Sequence, residues 1–242
     1  MKRKMQYAGF LKQSLVDYPG EIAAVLFTRG CNLRCPFCHN PDLLIKPKNP
    51  APPVYDIEEI AAFLAERKGF IDAVVISGGE PTLQPQLKDD IKRIKELGYL
   101  VKLDSNGTNS TVLEDLIRAG LVDYIAMDIK APLEYKRYQQ ACGRLSSGDF
   151  FQVRNSIHLL NHLSDVQVEF RTTVVPILHT PQDMEDIARY IEGASRYTLQ
   201  QFNPRVTLEP AYGEVVPFSK EEMADMAKLC APYVKEVRVV NI

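Results

Sequence analysis

The 242-residue chain lacks any marked charge imbalance: 29 Lys and Arg against 31 Asp and Glu leave a formal net charge of −2. Such a chain has no general electrostatic pull toward nucleic acid or an anionic membrane, and neither is expected as a partner. Long apolar runs are also missing. The longest, Ile22 to Phe27, falls far short of the ~20 residues that span a bilayer. Lys2, Arg3 and Lys4 are not followed by the apolar stretch of a secretory leader, so a cytoplasmic location is expected. In that reducing compartment five cysteines, an odd number, are thiols or metal ligands rather than a disulfide framework. No linker and no internal repeat divides the sequence, so residues 1–242 are expected to form one domain. Its 45% apolar and 25% charged residues are ordinary for a globular protein long enough to bury a full core.

Strand and helix patterns alternate along the chain. Apolar runs at 22–28, 73–76, 99–103 and 122–127 read as buried strands, and 166–175, 197–202 and 237–240 continue the series. Between them lie helical stripes. Asp56 caps a helix with Ile57, Ile60, Ala61 and Leu64 on one face. Leu87, Ile91 and Ile94 mark the next, ended by Gly98, and Leu113, Leu116 and Ile117 another. Thr180-Pro181-Gln182-Asp183 and Ser219 with Glu222 are helix starts. The segment from Lys46 to Pro53, with four prolines, reads as an extended loop. Strands joined by crossover helices pair in parallel with right-handed connections. Six or seven such units fall short of a complete eightfold barrel. The expected fold is therefore α/β, a partial (β/α)6-type open TIM-like barrel of parallel strands.

The densest chemical signal is Cys31-Asn-Leu-Arg-Cys35-Pro-Phe-Cys38, just past the end of the first strand. Three soft thiolates in eight residues suit an iron–sulfur cluster, zinc or copper(I). A [4Fe–4S] cluster on three local cysteines keeps one iron open for another ligand. A zinc site would need a fourth donor, for which His39, Cys142 and Cys230 are the candidates.

Other polar groups collect at later strand ends. In Ser77-Gly78-Gly79-Glu80-Pro81 two glycines let the backbone come close to a ligand, with carbonyls free to accept from an ammonium group; the plainer reading is a strand-to-helix turn. Asp104-Ser105-Asn106-Gly107-Thr108 offers short side chains for a ribose or carboxylate, and equally makes an Asx-type turn. In Met127-Asp128-Ile129-Lys130, Lys130 could neutralise a carboxylate while Asp128 orients it or helps bind a cation; the plainer reading is a strand-end salt bridge. Parallel α/β folds place their sites at this face.

Cys-x3-Cys-x2-Cys with Phe37 before the last cysteine resembles the signature of the radical S-adenosylmethionine (SAM) superfamily. The resemblance implies that Cys31, Cys35 and Cys38 hold a [4Fe–4S] cluster whose open iron binds SAM, and that one electron cleaves SAM to methionine and a 5′-deoxyadenosyl radical. It implies that Gly78, Gly79 and Glu80 form the family's Gly-Gly-Glu motif at the SAM amino group. Asp104-Ser105-Asn106 and Asp128 with Lys130 resemble the Asp-Thr-Asn-Gly and Asp-x-Lys pair of glycyl-radical-enzyme activases, Ser105 standing where those have Thr. They fall near the SAM carboxylate, with a monovalent cation as a further candidate, and Lys130 is placed among the catalytic residues. Phe37, His39, Val175 and Gln200 are assigned to the same cofactor, the segments at Thr173–Pro176 and Gln200–Phe202 walling its adenine. Lys12 to Gly20 and Cys38-His39-Asn40-Pro41 resemble the activating proteins of anaerobic (class III) ribonucleoside-triphosphate reductases. That implies hydrogen abstraction from a backbone glycine of the partner, with flavodoxin or ferredoxin as electron donor. No cysteine-rich C-terminal extension and no ferredoxin-like insert after Cys38 argues otherwise. The competing readings are radical chemistry on a small cofactor or modified-base precursor, and a zinc-stabilised binding module. His158 and His162 read as helix surface, Cys142 and Cys230 as partly buried side chains, and His179 as a loop residue.

Overall fold

The computed structural model of the chain describes residues 6–44 and 54–241. The expectations for Lys2 to Lys4 and for Lys46 to Pro53 fall outside these residues. Among the described residues, strands β1 (Tyr7–Ser14), β2 (Ala23–Thr28), β3 (Ala73–Gly78), β4 (Leu100–Ser105), β5 (Tyr124–Asp128), β6 (Gln167–Val174), β7 (Tyr197–Gln201) and β8 (Val237–Val240) form one sheet ordered β1 to β8. The helices are α1 (Ile57–Glu66), α2 (Leu87–Glu96), α3 (Ser110–Arg118), α4 (Tyr135–Cys142), α5 (Ser147–Asn161), α6 (Pro181–Tyr190) and α7 (Lys220–Cys230). The sheet is open, and the α/β class is as expected. None of the described helices is long and apolar enough to cross a membrane.

The expectation of parallel strands throughout needs one correction. β1 pairs antiparallel with β2, Phe10 opposite Leu26, with register shifts on both sides. The sequence reading began the sheet at β2 because β1 has no buried alternation: Leu11 is exposed and only the end residues Tyr7 and Ser14 are buried. An edge strand of this kind is defined by its backbone pairing, which leaves little mark on side-chain pattern. The chain before β6 forms two helices, α4 and α5, separated at Gly143, whose φ is 65°.

The described residues gather into two compact units. The first takes its members from Met1–Cys31, Asp42–Ser105 and Thr111–Ile125. Here β2 and β3 run in parallel, Leu26 beside Ile76, and β3 runs beside β4 with Ile76 against Leu103. Ala23 to Leu26 and Ala73 to Ile76 are buried without interruption, as in parallel strands covered on both faces. Ile57, Ile60, Ala61 and Leu64 of α1, and Leu87, Ile91 and Ile94 of α2, are the buried stripes the pattern predicts. Tyr99 ties this layer together, its hydroxyl donating to the Leu64 carbonyl at 2.6 Å.

The second unit draws on Asn32–Pro41, Asn106–Ser110 and Ala126–Ile242. β6, β7 and β8 are parallel, Thr172 beside Leu199 and Leu199 beside Val239. Capping boxes start α5 (Ser146 with Asp149), α6 (Thr180 with Asp183) and α7 (Ser219 with Glu222), the last two as read from sequence. Asp183 also receives both terminal nitrogens of Arg137; burial pushes its carboxyl up, but Arg137 and the Thr180 donors outweigh it and hold it below the carboxylate range.

In the first unit the Tyr7 hydroxyl donates to Asp90 at 3.0 Å in a buried pair. Burial pushes the Asp90 carboxyl up to about 6. A carboxyl whose folded pKa exceeds its unfolded value favours the fold when protonated, so its contribution declines as pH rises toward 6. Asp90→Asn should remove this slope: the stability of the variant relative to the parent should improve steadily between pH 4 and 6, read from urea midpoints.

Candidate active site

In the first unit the residues expected to carry chemistry leave the C-terminal ends of β2, β3 and β4. Thr28 pairs with Gly78 in register. Beyond them the Gly79 amide donates to Thr28 O at 3.0 Å and the Glu80 amide to Gly30 O at 2.8 Å. The chain after β2, which leads to Cys31, is thus pinned to the chain after β3. Contact is so close that no side chain fits. A Cβ on Gly79 would lie 1.9 Å from the Gly30 carbonyl oxygen. One on Gly78, itself at φ +116°, would lie 2.4 Å from the Thr28 nitrogen. Both glycines are required by the chain's own backbone before any ligand is considered.

Glu80 is wholly buried. Its Oε1 accepts from the Thr82 amide (3.1 Å), the Thr82 hydroxyl (2.6 Å) and the Ser105 hydroxyl (3.0 Å). It therefore fixes the end of β4 to the turn after β3. Asp104 accepts from the Ser77 hydroxyl at 3.0 Å and lies 3.4 Å from the Lys102 ammonium. Asp104 and Ser105 are thus tied into their own unit.

In the second unit the cysteine loop is held by a polar mesh. Asn32 donates to the Thr108 hydroxyl at 2.8 Å and its carbonyl accepts from Asn106 at 3.1 Å. The Asn106 carbonyl in turn takes the Thr108 amide (2.9 Å), the Asx-type turn that the sequence allowed. Cys35 and Cys38 close a tight turn, the Cys38 amide donating to Cys35 O at 3.0 Å, with Phe37 buried between them. The neighbouring Cys142 holds the Cys35 thiol below its usual range, against burial and with help from the Lys130 charge. Burial pushes Cys38 up, offset in part by the Asn40 amide on its sulfur.

Asp128 stands between two cations, Lys130 Nζ at 2.9 Å and Arg171 Nε at 2.8 Å. Burial alone would raise its carboxyl; Arg171 and Lys130 hold it well below the carboxylate range. Burial likewise works against the Lys130 ammonium, but Asp128 and Cys35 hold it well above its usual value. The Lys130 backbone is clipped as well. His179 accepts the Val175 amide on Nδ1 (2.9 Å), so its Nε2 carries the hydrogen donated to Lys130 O (2.9 Å). Burial lowers the His179 pKa, and the ring is a neutral brace between β5 and β6. Val175 is itself buried, and Gln200 lies 3.5 Å from the Thr173 hydroxyl. His39 packs against Phe202 at 6.2 Å between ring centroids, and burial then the Lys130 charge lower its pKa. His39, Gln201, Phe202, Asn203 and Arg205 line a cavity of about 680 Å³.

Several of these residues escaped the sequence reading. Arg171 was legible as a charge inside a partly alternating strand, and Asn32 as an amide within the cysteine motif. Cys142 was legible only as a candidate fourth donor or a buried side chain, and Arg205 carried no local signal. His158 on the exposed face of α5 and His162 at its C-terminal cap lie ring to ring at 4.6 Å, as a helix surface would.

Among the described residues, no three His, Cys, Asp or Glu side chains are gathered on one point as a single metal ion requires. Three thiols are the donor type that suits a [4Fe–4S] cluster, which spaces its ligands across several irons.

Residues 25–192 match the family model of the radical SAM superfamily. A Methanocaldococcus jannaschii protein assigned as a glycyl-radical enzyme activating enzyme is 35% identical over 243 residues, covering 99% of this chain and 97% of its own length. The pyruvate formate-lyase-activating enzyme of Clostridium pasteurianum is 30% identical over 202 residues, 80% of this chain and 79% of that one. The fold is shared with Streptococcus suis SuiB bound to its precursor peptide SuiA (TM-score 0.66, 11% identity, 90% of this chain and 48% of that one). It is shared also with TYW1 bearing a lysine-pyruvate adduct (TM-score 0.61, 17% identity, 88% and 74%).

Two substitutions test this geometry. Gly79→Ala should cost about 3 kcal/mol or more, as a strained backbone clash does, and lower the thermal midpoint sharply. Asp128→Asn leaves Lys130 and Arg171 facing each other without an anion. A loss of about 2–3 kcal/mol is expected for such a half-buried pair broken on one side, measured by urea unfolding.

Proposed function

The chain belongs to the radical SAM superfamily, and we propose that it is the activase of an anaerobic (class III) ribonucleoside-triphosphate reductase, taking a hydrogen atom from one backbone glycine of that partner. The observation that carries the activase reading is the full-length likeness to an assigned glycyl-radical enzyme activating enzyme. The choice of reductase is supported by Lys12 to Gly20 and by Cys38-His39-Asn40-Pro41, which resemble the reductase activators.

Cys31, Cys35 and Cys38 would hold a [4Fe–4S] cluster, which would supply the electron for reductive cleavage of SAM and so the radical that abstracts the glycine hydrogen. The protein's own residues bind and orient. Lys130, kept charged by Asp128, faces the SAM carboxylate, and Arg171 keeps Asp128 ionised in turn. Asp104, Ser105 and Asn106 serve the same carboxylate, with a monovalent cation beside Asp104. Glu80 is committed to Thr82 and Ser105, so the SAM ammonium falls to backbone carbonyls of the Gly78-Gly79 segment. Phe37 and His39 serve the same cofactor, and Val175 and Gln200 wall its adenine. Residues 1–242 work as one domain in the cytoplasm, with flavodoxin or ferredoxin as donor and neither nucleic acid nor membrane as partner.

The test is anaerobic reconstitution followed by addition of SAM, a reductant and the class III reductase from the same source. A glycyl-radical EPR signal together with 5′-deoxyadenosine is expected. Cys31→Ala, Cys35→Ala and Cys38→Ala should each abolish both. Deoxyadenosine without the glycyl signal would move the assignment to another glycyl radical enzyme or to a small substrate. A protein that binds zinc and no iron would overturn it.

A further inference from the structure

A lysine carries its charge on a flexible four-carbon stem, so it gives a precise anchor only where its surroundings fix it. The Lys130 peptide unit is held on both sides by side chains. Its amide donates to the Tyr138 hydroxyl of α4 at 3.2 Å, and its carbonyl accepts from His179 Nε2, just ahead of α6, at 2.9 Å. Tyr138 and His179 are both buried. These two supports are themselves joined. Arg137, next to Tyr138, donates through both terminal nitrogens to Asp183. Asp183 also accepts from the amide (2.8 Å) and the hydroxyl (2.9 Å) of Thr180, next to His179. The contacts thus leave Lys130 at its nitrogen and return at its carbonyl, a closed circuit. The imidazole is oriented by its own turn, the His179 amide donating to Val175 O at 2.8 Å while Nδ1 accepts the Val175 amide. β5 and β6 are already tied one residue earlier, by the Ile129 amide on Arg171 O (2.8 Å) and the Thr172 hydroxyl on Ile129 O (2.9 Å). The circuit therefore bears on Lys130 itself.

We propose that His179 and Tyr138 are positioning residues for Lys130, gripping its peptide unit from two sides and so fixing where its ammonium stands toward the SAM carboxylate. The proposal rests on the reading of Lys130 given above. It deepens that reading by assigning part of the affinity for SAM to two groups that act through the Lys130 backbone. Removing either one leaves a buried backbone group unpaired, and the peptide unit must shift to find another partner.

SAM affinity of the reconstituted enzyme, read by anaerobic titration calorimetry, decides the matter. His179→Leu, which removes both hydrogen bonds of the imidazole, should weaken binding about tenfold. His179→Gln, which returns a donor near the place of Nε2, should stay within about threefold of the parent. Tyr138→Phe, which deletes a single hydroxyl, should weaken binding about threefold. In a Lys130→Met background, His179→Leu and Tyr138→Phe should each change affinity by less than about twofold, because residues that act through one another do not add. Losses as large without Lys130 as with it, or unchanged affinity in both single variants, would overturn the role. A Lys130→Met enzyme that binds SAM as the parent does would sink the cofactor reading of Lys130 and this role with it. A second measurement needs neither cluster nor SAM. Long-range proton–nitrogen NMR of the iron-free parent should show the His179 ring as the Nε2–H tautomer. The Nδ1–H tautomer would overturn the contact even if every variant failed to fold.

Discussion

The second unit depends on one carboxylate. Asp128 closes β5 between the ammonium of Lys130 and the guanidinium of Arg171. Without an anion there, two cations would be forced together in a site largely shielded from water, at a Coulomb cost that grows as the local dielectric falls. With it, Lys130 can stay charged next to Cys35, and its backbone carbonyl is in position for the His179 brace. That ring is a neutral donor and acceptor at once, so it joins two strand ends without adding a further charge. A cluster of titratable groups at a strand end is therefore also the joint that sets where those strand ends go.

The first unit meets the same need without an ion pair. Its strand ends are joined by backbone hydrogen bonds at Gly79 and Glu80 and by the Glu80 carboxylate, which gathers donors from two loops. A buried carboxylate with its lone pairs filled is tolerable where an empty one would not be. The polar character that marks the Gly-Gly-Glu segment as functional is, in the folded chain, first of all a solution to loop anchoring.

These two joints show how much the sequence could reveal. Buried strands at Ala23 to Leu26 and Ala73 to Ile76, and the helix starts at Thr180 and Ser219, were legible because each rests on neighbours a few residues apart. The cysteine spacing was legible for the same reason. What escaped depended on distance along the chain. β1 is an edge held by partners far along the chain, β2 by its pairing and Asp90 by the Tyr7 hydroxyl, and Cys142 meets the cysteine loop through a helix that no local pattern links to it. Arg171 lay between these cases, visible as a charge in a partly alternating strand, yet its partner Asp128 could be named only once β5 and β6 were neighbours.

The crowding around Gly79 bears on how such chains are told apart. With the Gly30 carbonyl occupying the place of its absent Cβ, the glycine answers to the crossing of two loops, whatever is bound nearby. A descendant that lost its cysteines and all its redox chemistry would still need that glycine to fold. Over evolutionary time the motif would then outlive the activity, and glycine at this position is a fossil of the architecture, whereas the thiols are the witnesses to catalysis.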